Sequence, residues 1–373
     1  MPHYAKEGYS NVKYRIWKRC LAAWLCAVLA VLTLATPVAA DEAVPALSDN
    51  VRVSSRFLEL FFGKDKQPES GERYLCPGGQ VFGIRLIQEG AVVSGVTEES
   101  MRDILSPGDV ILSVNGETIA SAADLRRRIQ EVTGEVTLHL RRDGNEISVR
   151  LMPVEENGER RLGITVRDGT AGIGTVTFVD PGSRTFGGLG HGICEPESGK
   201  LIPMVRGEVT EVTLGGVTRG EAGKPGELHG VLRKPVTGRL AENGDCGVFG
   251  TFTTLPGELA APVPVAAREE VHEGRATVIS TVKNGERAEY EVQIRQIDYR
   301  SDGTKSFTVQ VTDPVLLALT GGIVRGMSGS PILQDGKLIG ALTHVMIADP
   351  TTGYGIFIEN MLAAMPDELA PAA

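Results

Sequence analysis

The chain has 373 residues, 42% of them hydrophobic and 23% charged, with 46 glycines, 5% aromatics and a formal net charge of −9. That length exceeds one average domain, and the composition suits a turn-rich globular β protein with ample core rather than a helical bundle. The acidic balance excludes nucleic acid as the main partner, because phosphate binding needs clustered positive charge.

At the N-terminus, Lys13, Arg15, Lys18 and Arg19 precede an apolar run from Cys20 to Ala35, small residues up to Ala40, and then Asp41-Glu42. This is the pattern of a signal peptide cut near Ala40, or of an uncleaved membrane anchor, carried by residues 1–40. Either outcome leaves the basic flank inside and exports the rest. Residues 41–73 read as a polar linker segment with one short helix around "SSRFLELFF". Outside the targeting segment remain Cys76, Cys194 and Cys246, which allow at most one internal disulfide. A Cys194–Cys246 bond would suit an exported protein and would tie two loops together. No CxxC or HExxH pattern occurs, so no metal and no other cofactor is expected.

From residue 74 to about 155 the signals are those of a small α/β module. "PGGQVFGIRL" is a glycine turn followed by an alternating strand, and "LSPGDVILSVNGETI" carries a hairpin turn at Asn115-Gly116. "SAADLRRRIQEV" opens a helix at Ser121 or Ala122, with Leu125, Ile129 and Val132 on one face. Two strands around Asp143-Gly144 close the unit, and His139, alternating with Leu138 and Leu140, points to solvent. The order, with "GDVILSVNG" before the helix, resembles the PDZ domain of bacterial exported proteases. The resemblance implies that a peptide adds as an extra strand while backbone N–H groups of a small turn hold its carboxylate. The turn expected to do this is Val81-Phe82-Gly83-Ile84, with Leu125 and Ile129 as groove wall.

After the charged connector "ENGERR" (156–161), residues 156–373 read as short strands broken by Gly, Pro and Asp, the spacing of a barrel or sandwich. A hairpin around "DPGS" has its second strand ending at His191, and "GMSGSP" (326–331) places two serines in a glycine-framed turn. A serine hydroxyl becomes a nucleophile only when a base takes its proton and donors receive the charge formed on the attacked carbonyl. The turn resembles the "G-D-S-G-G-P" turn of trypsin-like serine proteases, with Met327 in place of the acid. The resemblance makes Ser328 the nucleophile and the N–H groups of Gly326 and Ser328 the oxyanion hole. His191 fits the base by chain order; His344, on a strand near the nucleophile, is its rival, although its place after the serine suggests a pocket wall, and His229 and His272 read as surface. Asp313, in "QVTDPVLL", and Asp245, in "ENGDCGVFG", compete for the third position.

Taken together, "AGIGTVTF", "LGH", "VTDP", "GGIVRGMSGSPILQDGKLIGALTHV" and "DPTTGYGIFIENML" resemble the SpoIVB-type sporulation signalling peptidases. That resemblance implies a mainly β fold, a PDZ domain followed by a trypsin-like double β-barrel peptidase domain, and a triad of His191, Asp313 and Ser328. It also implies the partner: a membrane protein, in a regulated intramembrane proteolysis complex, whose extracytoplasmic part is cut so that a late sigma factor is activated. The setting would be the space between forespore and mother-cell membranes, with a peptide tail or the enzyme's own chain at the PDZ domain. A general envelope quality-control protease and a non-catalytic PDZ scaffold are the readings from other classes; the PDZ-first order counts against the former, the survival of Ser, His and Asp against the latter.

Overall fold

The computed structural model describes residues 73–195 and 199–369. The expected signal peptide or anchor (1–40) and all but the last residue of the expected linker (41–73) lie outside the described residues. Among the described residues no helix is long and apolar enough to cross a membrane.

The chain enters through β1 (Tyr74–Pro77) and β2 (Val81–Val96). β2 serves two structures. Its first part buries Phe82, Ile84 and Leu86 in one barrel, and its last part buries Ala91 and Val93 in a second, separate core. Between the two parts, residues 88–91 bulge opposite a single residue, since Ile87 pairs with Gly169 and Val92 with Arg167. Such a bulge bends a strand and lets it leave one sheet for another.

The second core belongs to the PDZ module. It comprises β3 (Val110–Val114), β4 (Glu117–Thr118), α1 (Ala122–Glu131), β5 (Val136–Arg142) and β6 (Asn145–Leu151), then a small hairpin of β7 (Val154–Glu156) and β8 (Glu159–Arg161). The Asn115-Gly116 and Asp143-Gly144 turns all have positive φ, as two-residue hairpin loops require. In β5, Val136, Leu138 and Leu140 are fully buried while His139 faces outward to Glu146 and Ser148. Ser121 caps α1 by accepting the Asp124 N–H, and the helix buries Leu125 and Ile129 on one face.

The chain returns through β9 (Ile164–Val179), which runs back along β2 for its whole length. With β10 (Thr185–Gly188), β11 (Arg206–Thr218), β12 (Glu227–Gly244) and β13 (Gly247–Phe252) it completes a six-stranded ring in the order β2, β9, β10, β13, β12, β11, closed where β11 pairs with β2. β14 (Val263–Pro264) pairs with β1 at its rim. The second barrel is also closed and six-stranded: β15 (Gly274–Lys283), β16 (Glu286–Arg295), β17 (Phe307–Val311), β20 (Asp349–Phe357), β19 (Lys337–Met346) and β18 (Pro331–Gln334). A short helix α2 (Pro314–Thr320) links β17 to the turn before β18, and α3 (Ile358–Ala363) follows β20. Val292, Ile294, Phe307, Ile332 and Phe357 form its core, each at most 1% exposed.

The PDZ module and the trypsin-like double barrel are therefore both present, but their boundary differs from the one expected at residue 155. β1 and the first part of β2 belong to the first barrel, so the PDZ module is inserted between two barrel strands rather than placed before the barrel. Neighbouring sequence hid this, because one unbroken alternating strand supplies residues to both cores. Since Ile87 and Gly169 are directly opposed, an Asn-Gly turn replacing residues 88–168 should join them and leave the barrels folded. A chain starting at residue 156 lacks β1 and β2 and should not fold. Circular dichroism and thermal unfolding check both, and cooperative unfolding of the 156–373 chain would contradict this architecture.

Candidate active site

The turn that carries Ser328 is prepared by the helix before it. Asp313 is the N-cap of α2: its Oδ1 accepts the N–H groups of Val315 (2.8 Å) and Leu316 (2.9 Å), and Pro314 occupies the first helical position. Gly321, with φ +74°, ends the helix, and residues 322–327 carry the chain to Ser328. Met327 is fully buried in the second barrel core, where an acid would carry a large desolvation cost. Ser330 is fully buried too, its hydroxyl bonded to that of Ser280 at 3.0 Å, so it supports the turn from within.

β9 of the first barrel holds this turn from the other side. The Thr175 N–H donates to the Ser328 carbonyl (2.9 Å), the Thr175 hydroxyl to the Gly326 carbonyl (2.8 Å) and the Thr177 hydroxyl to the Gly329 carbonyl (2.8 Å). At Gly329, with φ +93°, an added Cβ would lie 2.0 Å from the Thr175 carbonyl oxygen, so only glycine permits this approach.

Both expected oxyanion donors are free of other bonds. The Arg325 carbonyl accepts from Leu228 N–H (2.9 Å) and the Met327 carbonyl from Ser330 N–H (2.9 Å). In a trans peptide the N–H points opposite its C=O. The N–H groups of Gly326 and Ser328 are thereby turned away from those partners, and neither has a hydrogen-bond acceptor among the described residues.

A cleft of about 460 Å³ between the barrels is lined by His191, Ser328, His344, Gly326, Ile323 and Val345, among others. His191 follows β10; its Nδ1 lies 2.8 Å from the Gly192 carbonyl oxygen, and burial lowers its pKa, partly offset by that bond. The Ser328 hydroxyl donates to the Thr343 carbonyl at 2.7 Å, so a rotation about its side-chain torsion is needed to address the histidine. His344 follows Thr343 on β19, and its ring lies 4.7 Å from the His191 ring, centroid to centroid. Its Nδ1 is buried without a partner, and its pKa falls to about 4 through burial first, then the charges of His191 and Lys305.

The cleft brings Ser328, His191 and Gly326 together, but not Asp313. Its second oxygen faces the Glu291 N–H at 3.4 Å, and it forms no bond to His191. Asp245 lies in the turn between β12 and β13, its carbonyl accepting the Gly192 N–H (3.2 Å) while its side chain is exposed. His229 bonds Thr218, and His272 pairs with Asp335 at the surface, which raises its pKa. Cys194 and Cys246 are both free thiols, bonded to the Gly192 and Asp302 carbonyls, so the pairing considered for them does not form.

The expected peptide-binding turn is also displaced. Val81 opens β2 and pairs with Thr175 of β9, and Phe82, Gly83 and Ile84 lie between β11 on one side and β9 on the other, leaving no edge there for a peptide. A Cβ on Gly83 would meet Leu232 and Thr210 at 2.6 Å, so substitution there strains the barrel. The open groove of the module lies elsewhere: about 600 Å³ between α1 (Leu125, Arg126, Ile129) and residues Leu162, Ile164 and Val166. There the outer edge of β9 has no strand partner among the described residues, and the N–H groups of Leu162 and Gly163 donate to no backbone acceptor. Gly163, at φ +63°, makes the turn into the strand. The signal was in the sequence: "LGI" at 162–164 repeats the pattern of "FGI" at 82–84, directly after the connector.

The half-buried His344 makes stability depend on pH. Its folded pKa of about 4 lies below the ordinary 6.5, so between those values the unfolded chain binds a proton that the folded one does not. Stability contributed at neutral pH is lost as pH falls from 6.5 towards 4. His344→Gln should flatten the fall of Tm across that window; an unchanged slope would contradict the assignment.

The sequence matches the family described as SpoIVB peptidase S55 over residues 158–362. None of the curated proteins matches it. Among solved structures, the active form of the Rv3671c protease from M. tuberculosis is 11% identical, covering 89% of this chain and 93% of its own, with a TM-score of 0.31. Deg5 is 13% identical, covering 52% and 86%, with a TM-score of 0.30. The PDZ domain of the SdrC-like protein from Listeria monocytogenes is 19% identical, covering 21% and 87%, with a TM-score of 0.20. The family match spans more than half of the chain and contains both His191 and Ser328: the protein belongs to the SpoIVB peptidase S55 family and is a serine endopeptidase.

Proposed function

We propose that Ser328 is the nucleophile of this endopeptidase and His191 its base. The observation that carries this reading is the convergence of Ser328, His191 and two unpaired N–H groups on one cleft between the barrels. The Ser328 Oγ proton passes to His191 Nε2 as Oγ bonds to the substrate carbonyl carbon, and the carbonyl electron pair moves onto its oxygen. The N–H groups of Gly326 and Ser328 receive that charge. As the carbonyl re-forms, the C–N bond breaks and His191 returns the proton to the leaving amine. Water then repeats the cycle on the acyl-enzyme, with His191 as base and then acid.

Its biological role, on this reading, is signalling during endospore formation. The enzyme is exported and cuts the extracytoplasmic part of a membrane protein that restrains an intramembrane protease; release of that protease activates a late sigma factor. Family membership and the basic-then-apolar N-terminal segment support the setting. The PDZ module selects the substrate complex by taking a peptide tail, or a segment of its own chain, on the outer edge of β9 at residues 164–166, with the Leu162 and Gly163 N–H groups receiving the carboxylate.

Ser328→Ala and His191→Ala should each lower turnover of a peptide substrate by ~10³-fold or more, and the double variant little further, because they act as a unit. Ser330→Ala should cost about 1 kcal/mol of stability through one lost hydrogen bond. Turnover by Ser328→Ala comparable with the parent would sink the assignment. Because burial lowers the His191 pKa, kcat/KM should persist on acidification below the ordinary histidine value before falling. For the groove, a fluorescent peptide with a free apolar C-terminus should bind at least ~10-fold more tightly than its amide, since the carboxylate is the group held. NMR shifts should fall on residues 125–130 and 162–166; equal binding of acid and amide would remove the carboxylate from the proposal.

A further inference from the structure

The groove between α1 and the outer edge of β9 has a fixed register. At one end Gln130 Nε2 donates to the Arg160 carbonyl (2.9 Å) and its Oε1 accepts the Arg160 N–H (3.2 Å). At the other end the Ala122 N–H donates to Asp168 Oδ1 at 2.6 Å. α1 therefore runs antiparallel to residues 160–168, its C-terminal end beside the Leu162-Gly163 turn and its N-terminal end beside Asp168. A peptide that pairs with β9 at 164–166 and ends at the Leu162 and Gly163 N–H groups lies between the two. Its last residue is level with Ile129, and its earlier residues run towards Ala122.

The charge along this groove runs against that of the chain as a whole. On a protein of net charge −9, the groove is lined by Arg126, Arg160 and Arg161 against one carboxylate, Glu159. Arg161 is committed to Glu156 (3.0 Å) and Glu159 (2.8 Å). The Arg160 guanidinium donates to the Val132 carbonyl, a neutral acceptor. On α1, Arg127 pairs with Asp124 and Glu131, and Arg128 with Asp124 and Glu117. Arg126, exposed on the groove face, has no ion-pair or hydrogen-bond partner among the described residues. The helix thus neutralises both arginines that face away from the groove and leaves the one that lines it.

Arg126 stands four residues, about 6 Å, back along α1 from Gln130. Side chains of an added strand alternate, so those two residues apart share the groove face, about 6.6 Å from each other. The last side chain then fills the apolar end formed by Ile129, Leu162 and Ile164, and the side chain two residues before it reaches the level of Arg126. We infer that the groove takes a C-terminal peptide with an apolar last residue and an acidic residue two positions before it, selected by the Arg126 charge. The inference rests on the reading of the 162–166 edge as the site that holds a ligand carboxylate. At the selected position Asp or Glu meets a free guanidinium, whereas Lys or Arg meets a like charge. Selection works by repulsion as well as by attraction.

Fluorescence anisotropy with labelled decapeptides tests this on the full chain carrying Ser328→Ala, which keeps the probes uncut. Peptides ending Glu-Ser-Val, Gln-Ser-Val and Lys-Ser-Val should bind in that order of affinity. Each step should weaken binding about 3-fold, the scale of a partly exposed ion pair. The steps should shrink in ~1 M salt, where the screening length is about 3 Å. Arg126→Glu should reverse the order, and Arg126→Gln should level it. A peptide ending Ser-Glu-Val, whose acid points off the groove face, should bind like the one ending Gln-Ser-Val. The inference is wrong if the three peptides bind equally, or if the Glu preference survives in both Arg126 variants, while the free acid still outbinds its amide. Equal affinity for Ser-Glu-Val and Glu-Ser-Val would contradict the register. If the acid and amide forms of the Glu-Ser-Val peptide bind equally, the carboxylate reading of the groove fails instead. Should Arg126→Glu not fold, Arg126→Gln decides: a levelled order supports the inference and an unchanged one overturns it.

Discussion

The cleft between the barrels depends on the hydrogen bonds by which β9 of the first barrel holds the Ser328 turn of the second. The turn carries the proposed nucleophile and oxyanion donors, while the first barrel carries the proposed base, so on this reading neither barrel alone contains the chemistry. Each such bond contributes on the order of 1 kcal/mol net, but leaving one of these carbonyls without a partner would cost about 1–3 kcal/mol. The cost of breaking them, more than the gain from making them, keeps the turn in one place. Gly329 sets how close the two barrels come, because its backbone rests on the Thr175 carbonyl with no room for a side chain.

The same strand explains how the PDZ module is attached. β9 carries the open groove edge at 164–166 and the clamps at Thr175 and Thr177, and β2 runs beside it from Ile164 to Thr175. An inserted module joined by two paired strands is held more stiffly than one on a flexible linker, because two backbone crossings fix its orientation. The β11–β12 hairpin adds a second strut, with the Gly226 carbonyl and the Leu228 N–H bonded to the N–H and carbonyl of Arg325 beside the Ser328 turn.

Local features were legible in the sequence for physical reasons. The Asn115-Gly116 and Asp143-Gly144 turns need left-handed backbone, the α1 face repeats at helical spacing, and the glycines around Ser328 sit where backbone must meet backbone. Associations at long range were less legible. "FGI" and "LGI" look alike as strings, and only the pairing of β2 on both sides shows that the first is core. An aspartate before a proline at a strand end reads equally well as a triad member or as a helix cap, since both roles need an acceptor in the same local sequence. Distances to His191 come from the fold, and there Asp313 is turned to its own helix. Asn243 gave no sequence signal, because its contacts with the Ile193 N–H and the Ile193 and Ile202 carbonyls are brought together by the barrel.

The account's central claim is that the two barrels assemble one reactive serine at position 328. Peptide mapping by mass spectrometry, after reaction of the native protein with a fluorophosphonate, tests this most directly. The predicted result is a single adduct on Ser328 that is absent from unfolded protein. An adduct on Ser330 or another serine, or equal labelling of folded and unfolded chains, would contradict it.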